Sequence, residues 1–366
     1  REEHNINEIV YINFDDERLR QMTADDLDLI LQAYHSLFDL RPLLFFDEIQ
    51  NIEGWEHFAR RLANQKYNIY ITGSNAKMLS REIATTLGGR FWNKDVYPYS
   101  FAEYLNARNI ILSKNWMYGK QAAEVSKAFN DYFLYGGFPE LTDVIAKRVW
   151  LNDIYSKIFF SDLIVRNKVR NEEALGLLVR RLAENVKQPV SYTRLANLIS
   201  SIGIKISKAT VIEFIRYLKE SCLIFPIENY AAKFAERNSN MKHYFIDNGL
   251  LSIFLLDGNT SLLENIVAIH LYKRYGAQLY FYNQNIEVDF IIPEAKTAIQ
   301  VSYSLMDETT CRREVEGLIK LNRVFPMDNM CIITRDEERI ITHESGVSIH
   351  VIPVWKWLLE EEPLRT

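Results

Sequence analysis

Pro42-Leu43-Leu44-Phe45-Phe46 runs straight into Asp47-Glu48. An apolar run of this length, ending in two adjacent carboxylates, suits a buried parallel strand that delivers acid to the edge of a sheet. There a first carboxylate can organise Mg²⁺ while its neighbour polarises a water aimed at a γ-phosphate. The same pair would also suit a helix N-terminus, where acids complement the dipole. No G-x-x-x-x-G-K-[ST] phosphate loop occurs in the 366 residues. We therefore expect an ATPase whose first strand and phosphate loop lie upstream of Arg1 or have been lost. Binding of ATP and Mg²⁺ is conditional on such a loop.

The flanking sequence alternates strands and helices. Ile9–Phe14 reads as a strand, and residues 24–39 carry Leu27, Leu31, Tyr34 and Phe38 at helical spacing. Gly54-Trp55 opens a second helix, Asn68–Thr72 is a strand, and another strand is expected near Asp95–Tyr99. This alternation points to a parallel α/β sheet. Ser74 and Asn75 follow the strand after the acid-bearing one. Ligands of open α/β sheets bind at such carboxyl ends, so these side chains are candidates to sense a γ-phosphate. Gly73-Ser74-Asn75 is also ordinary turn chemistry. Arg90 follows the flexible pair Gly88-Gly89. An arginine so placed can stabilise a transferring phosphoryl group from a neighbouring subunit, with Arg81 as the alternative and a plain surface arginine as the simpler reading.

Composition narrows the class. The length suggests two to three domains. A net charge of -5 argues against a generally basic nucleic-acid coat. Cys222, Cys311 and Cys331 have no metal-type spacing, which fits a reducing, cytoplasmic setting without a zinc site. No apolar run is long enough to span a bilayer, so no membrane partner is expected.

Several segments together carry a family resemblance. They are Phe45–Gln50, Gly54-Trp55, Ile71–Asn75, Leu87–Arg90, Tyr97–Tyr104, Tyr135–Glu140, and Ile158–Arg166 with its Asp162-Leu163-Ile164. The chain resembles, over essentially its whole length, the prokaryotic AAA-type (P-loop) ATPases that carry a C-terminal domain of unknown function. The resemblance implies that Asp47 and Glu48 form the Walker B pair. It makes Ser74-Asn75 the sensor and Arg90 the arginine finger. In that family the phosphate loop precedes a strand like Ile9–Phe14.

The expected organisation is an α/β multidomain chain. Residues 1–100 form a truncated P-loop NTPase-like parallel sheet, and residues 101–170 a helical lid in which Tyr132, Phe133, Tyr135 and Phe138 pack as core. Residues 171–250 read as a winged helix, with helices at Thr193–Ser200 and Lys208–Ser221 and a wing strand at Leu223–Tyr230. Val211, Ile215, Leu218 and Cys222 share the core face of the second helix. Its basic residues, among them Lys208 and Arg216, are candidate DNA contacts, though Glu213 and Glu220 dilute them and a winged helix used for packing or protein contact is the simpler reading.

Residues 251–366 begin with an amphipathic helix at Leu262–Tyr275 and continue in α-β-β-β-α-β order. With Glu264 on the helix, Glu287-Val288-Asp289 on one strand and Gln300-Val301-Ser302 on the next, this part resembles the restriction-endonuclease-like fold. Gln300 replaces the acid and Ser302 the lysine of the metal site that the resemblance implies. A neutral amide is a weak Mg²⁺ ligand and serine supplies no cation, so the expected nuclease is inactive. His243, His270 and His343 are assigned to packing or surface roles. The reading is an ATP-binding and ATP-hydrolysing protein that couples nucleotide state to DNA or protein binding, with DNA, a partner protein and further copies of itself as candidate partners. Its rivals are a non-catalytic DNA- or protein-binding module on a relic ATPase scaffold and, last, a metal-dependent nuclease.

Overall fold

The computed structural model describes residues 5–73, 85–117, 119–233, 237 and 239–360. The chain divides into two compact units, essentially the residues up to Asp95 and those from Val96 onward.

In the first unit, β1 (Ile9–Asn13), β2 (Leu43–Asp47) and β3 (Asn68–Ile71) form a parallel sheet with β2 in the centre. Leu44 and Phe46 alternate onto one face. There they join Ile30 of α1 (Asp28–Leu37) and Trp55, Phe58 and Leu62 of α2 (Trp55–Asn64) in a closed core. Burying each such side chain stabilises the fold by about 1.5–3 kcal/mol. The opposite face is open among the described residues. Tyr11, Phe45 and Tyr70 lie in register across the three strands, and Tyr11 and Tyr70 are 62% and 53% exposed. The central strand is thus fully buried on one face, not on both, because the described helices pack on the Leu44–Phe46 side.

No strand forms at Asp95–Tyr99. Pro98 has no N–H to give a ladder. Ser100 and Glu103 form a reciprocal capping box that starts α3 (Phe101–Ala107) instead.

The second unit continues with α4 (Lys120–Tyr135) and α5 (Lys147–Lys157), which runs into a π-helical segment at Ile158–Val165. After α6 (Glu172–Glu184) come β4 (Val190–Ser191), α7 (Tyr192–Ser200) and α8 (Lys208–Glu220). The Ser207 hydroxyl accepts from the Thr210 N–H at 3.1 Å and caps α8. Val211, Ile215 and Leu218 are buried as the spacing predicts. Cys222 is exposed instead, because α8 stops at Glu220 and Cys222 sits in the left-handed region at φ 54°.

Next come β5 (Ile224–Asn229), β6 (Asn240–Phe245), α9 (Asn248–Ser252) and α10 (Asn259–Tyr275). They are followed by β7 (Tyr280–Asn283), β8 (Glu287–Ile292), β9 (Thr297–Val301), α11 (Glu308–Val324) and β10 (Asn329–Thr334). The described part ends with β11 (Arg339–Thr342), β12 (Ser348–Pro353) and α12 (Val354–Glu360). One sheet of nine strands runs β11-β12-β10-β9-β8-β7-β5-β6-β4. Strands from residues 171–250 and from 251–366 therefore share a sheet, joined where β5 pairs in parallel with β7. Helix α10 is not amphipathic, since every residue from Leu262 to Leu271 is buried. A helix wrapped on all sides must satisfy its polar side chains internally, and Glu264 and Asn265 both do so.

Candidate functional site

Two clusters of carboxylates stand out, one in each unit. In the first, Asp47 ends the central strand opposite Asn13 of β1. Alternation puts its side chain on the open face with Phe45. Both carboxylate oxygens are held: the Tyr11 hydroxyl donates to Oδ2 at 2.7 Å, and the Thr72 hydroxyl donates to Oδ1. These donors are neutral, so they orient the charge without cancelling it. The bond to Asp47 in turn raises the Tyr11 pKa above its ordinary value.

Glu48 follows with φ 53°, in the left-handed region. Non-glycine residues reach that region at a conformational cost, and such positions concentrate at functional sites. The Gln50 side-chain amide donates to Glu48 Oε2. Its own Oε1 is buried with no hydrogen-bond partner among the described residues. Asp47 and Glu48 thus leave the carboxyl end of a parallel strand in different directions, with the Gln50 acceptor beside Glu48. Arg90 is exposed beyond the turn made by Gly88 and Gly89, both with positive φ. Ser74, Asn75 and Arg81 lie outside the described residues. The sequence patterns missed Tyr11 and Thr72. Their one advance signal was a hydroxyl in one neighbouring strand and another just after the other, both on the parity that faces Asp47.

The second cluster surrounds Lys242 of β6, which is fully buried. Its Nζ lies 3.1 Å from Glu264 Oε1, 3.0 Å from Asp289 Oδ1 and 3.7 Å from Glu287 Oε1. Burial alone would lower the Lys242 pKa. The charges of Glu264, Asp289 and Glu287 outweigh it and hold the ammonium above its ordinary value. Burial raises Glu264 above the usual carboxylate range despite Lys242. The Tyr244 hydroxyl also donates to Glu264, at 2.7 Å.

Glu264 and Asp289 both bond the Lys242 ammonium, whereas the Gln300 amide is turned to backbone groups. Its Oε1 accepts the Asp289 N–H at 2.8 Å and its Nε2 donates to the Glu287 carbonyl at 3.2 Å. Asp289 Oδ2 accepts the Val301 N–H at 2.9 Å. These side-chain bonds connect β8 and β9. Ser302 Oγ donates to the Ser304 carbonyl at 3.0 Å. Glu264, Glu287 and Asp289 line a cleft of about 740 Å³, together with Arg313, Glu314 and Lys320. Among the described residues, no group of three or more His, Cys, Asp or Glu is arranged to hold a metal ion. Lys242 has no motif to mark it; its only signal is a lysine next to His243 inside the strand-like stretch Met241–Ile246.

Of the basic candidates on α8, Lys208 and Arg216 are both exposed. Arg216 lies 3.9 Å from Glu213 and stacks over Tyr217. His243 and His270 are buried, and His270 packs against Trp357. No described helix is long and apolar enough to cross a membrane.

Residues 1–105 match the family model of an AAA domain, and residues 126–261 match a domain of unknown function (DUF8612). An uncharacterized protein of Methanocaldococcus jannaschii is 34% identical over 370 residues, covering 97% of this chain and 83% of that protein. An uncharacterized protein of Haemophilus influenzae is 30% identical over 363 residues, covering 96% of this chain and 86% of that protein. The chain is thus an AAA-type protein. It belongs, with these archaeal and bacterial relatives, to the AAA-type P-loop ATPase family whose members continue into a domain of unknown function. Among solved structures, a Walker-type ATPase of Pyrococcus abyssi aligns at TM-score 0.41 and 13% identity, covering 67% of this chain and 83% of that one.

Proposed function

We propose that this chain is the body of an ATP-hydrolysing AAA protein and that Asp47 and Glu48 are its working acids. The carrying observation is the placement of two carboxylates at the carboxyl end of a central parallel strand, with Asp47 oriented by two neutral hydroxyls. These residues fit MgATP. Asp47 keeps its charge uncancelled by its hydroxyl donors and would hold Mg²⁺, and Glu48 would polarise the attacking water. Gln50 Oε1, without a partner among the described residues, offers that water a second acceptor. Bound MgATP supplies the electrophilic γ-phosphorus and a cation that spreads its charge. Ser74 or Asn75 would sense the γ-phosphate, and Arg90 would act on a neighbouring copy of the chain. A phosphate loop would complete this site.

The rest of the chain couples nucleotide state to a DNA or protein partner in a cytoplasmic setting. In this reading residues 171–250 work as a winged helix presenting Lys208 and Arg216, and residues 251–366 as a restriction-endonuclease-like fold without nuclease activity. In a protein that carries such a loop, Glu48→Gln keeps MgATP binding and lowers hydrolysis by about 100-fold or more, the contribution of a positioned general base. Nucleotide-binding and single-turnover assays check this. Unchanged hydrolysis removes Glu48 from the chemistry, and no binding by the wild type turns the acids into relics on a binding module.

A further inference from the structure

The restriction-endonuclease-like reading of the C-terminal part implies a divalent cation between Glu264 and Asp289. The residues present do not fit one. We infer that the Lys242 ammonium is the resident cation of this cleft, standing in permanently for a metal ion and making the cleft metal-independent.

Lys242 approaches from β6, reaches over the Phe281 ring at 5.6 Å, and puts Nζ at 3.0 and 3.1 Å from Asp289 and Glu264. Those are hydrogen-bonding distances. A Mg²⁺ ion needs its oxygens at about 2.0–2.1 Å and near-octahedral, and Mn²⁺, another hard cation, also seeks oxygen ligands. An incoming dication would meet the ammonium within the same shell, where the low dielectric magnifies repulsion.

Several of the site's polar atoms also hold hydrogen bonds within the protein. Asp289 Oδ2 takes the Val301 N–H, and Glu264 Oε1 takes the Tyr244 hydroxyl as well as Lys242. Gln300 spends both ends of its amide on backbone groups. Lys242 itself has no exposed surface, so it closes the cluster from behind while the carboxylates face the cleft. A buried charge left without its partner is costly, and a lysine among three acids removes that cost without any soluble ion. The inference does not depend on the reading of the first unit, because neither Asp47 nor nucleotide enters it.

The test is Mn²⁺ titration by electron paramagnetic resonance, with thermal unfolding in parallel, on the full chain. The variants are Asp289→Asn, Lys242→Met and the Lys242→Met/Asp289→Asn double. Wild type is expected to show no Mn²⁺ binding that Asp289→Asn removes, and no rise in Tm with Mn²⁺. Lys242→Met has a lower Tm, which Mn²⁺ raises. It binds Mn²⁺ at least about tenfold more tightly than wild type, and the double variant loses that gain. Two results overturn the inference: wild-type Mn²⁺ binding that Asp289→Asn abolishes, or a folded Lys242→Met that gains none. Should Lys242→Met fail to fold, the comparison of wild type with Asp289→Asn decides, binding sensitive to Asp289 refuting the inference and its absence upholding it.

Discussion

Gln300 shows how one side chain can look like a lost catalytic residue and be a structural one. Its amide does what a carboxylate at that position cannot. It donates to the Glu287 carbonyl while accepting from the Asp289 N–H, and it is only 4% exposed. A glutamate in its place would bring two acceptors to a site that needs one donor, leave the Glu287 carbonyl unpaired, and set a second buried charge beside Asp289. We expect Gln300→Glu to lower stability by about 1–3 kcal/mol, the cost of a buried unsatisfied group, and to restore no metal-dependent cleavage. Urea unfolding reads the first part and a DNA-nicking assay with Mn²⁺ the second. A Gln300→Glu variant as stable as wild type would show that the amide is not needed to join β8 and β9. Glu48 makes the complementary point. Its residue type was readable from the motif, whereas its left-handed backbone and its bond to Gln50 were not.

At the scale of elements, the junction of α4, α9 and the turn between α4 and α5 explains two glycine-containing motifs at once. The Asp247 carboxylate caps α9 through Gly249 N–H at 2.8 Å and accepts the Gly137 N–H at 2.8 Å. Asn248 bonds the Phe133 and Leu262 carbonyls, tying α9 to α4 and α10. This closeness leaves no room for side chains. A Cβ on Gly249 would lie 2.1 Å from the Tyr135 carbonyl oxygen, and one on Gly136 would lie 1.9 Å from Asp247 Oδ1. The clash at Gly249 is with backbone, which cannot swing away. Gly249→Ala should therefore cost about 3 kcal/mol or more, at the upper end for overpacking, as measured by chemical denaturation. A loss below about 1 kcal/mol would mean that α9 can slide, and that the junction is looser than these distances require. Each motif was readable in the sequence by itself. That they are two halves of one joint was not, because the Gly137–Asp247 bond spans 110 residues.

For the molecule as a whole, burial of titratable groups sets the response to acid. Burial lowers His243 to about 4 and His270 to about 3, from an ordinary 6.5. The unfolded chain then binds protons that the native chain refuses. This part of the stability is present above pH 6.5 and is lost as pH falls toward 3–4. Asp247 works in the opposite direction: burial raises it to about 6, so the stability it contributes below its unfolded value fades as pH rises through 6. His270→Leu removes one proton from the acid-labile side. It should flatten the fall in stability between pH 6.5 and 3 by up to about 1.4 kcal/mol per pH unit. Unfolding free energies of wild type and variant at a series of pH values check it, and parallel pH profiles would exclude His270 as a source of the acid response.

By itself the sequence determined the alternating α/β character of the first unit, the acid pair ending its central strand, and most helices and strands of the second. Those features follow from periodicity and capping within a few residues, so they are written locally. Tertiary structure alone decided which face of the first sheet is covered and that the nine strands form a single sheet. It also decided that Lys242, 47 residues from Asp289, sits among the carboxylates. Such arrangements depend on which distant segments pack together, and that contact energy leaves no local period in the chain.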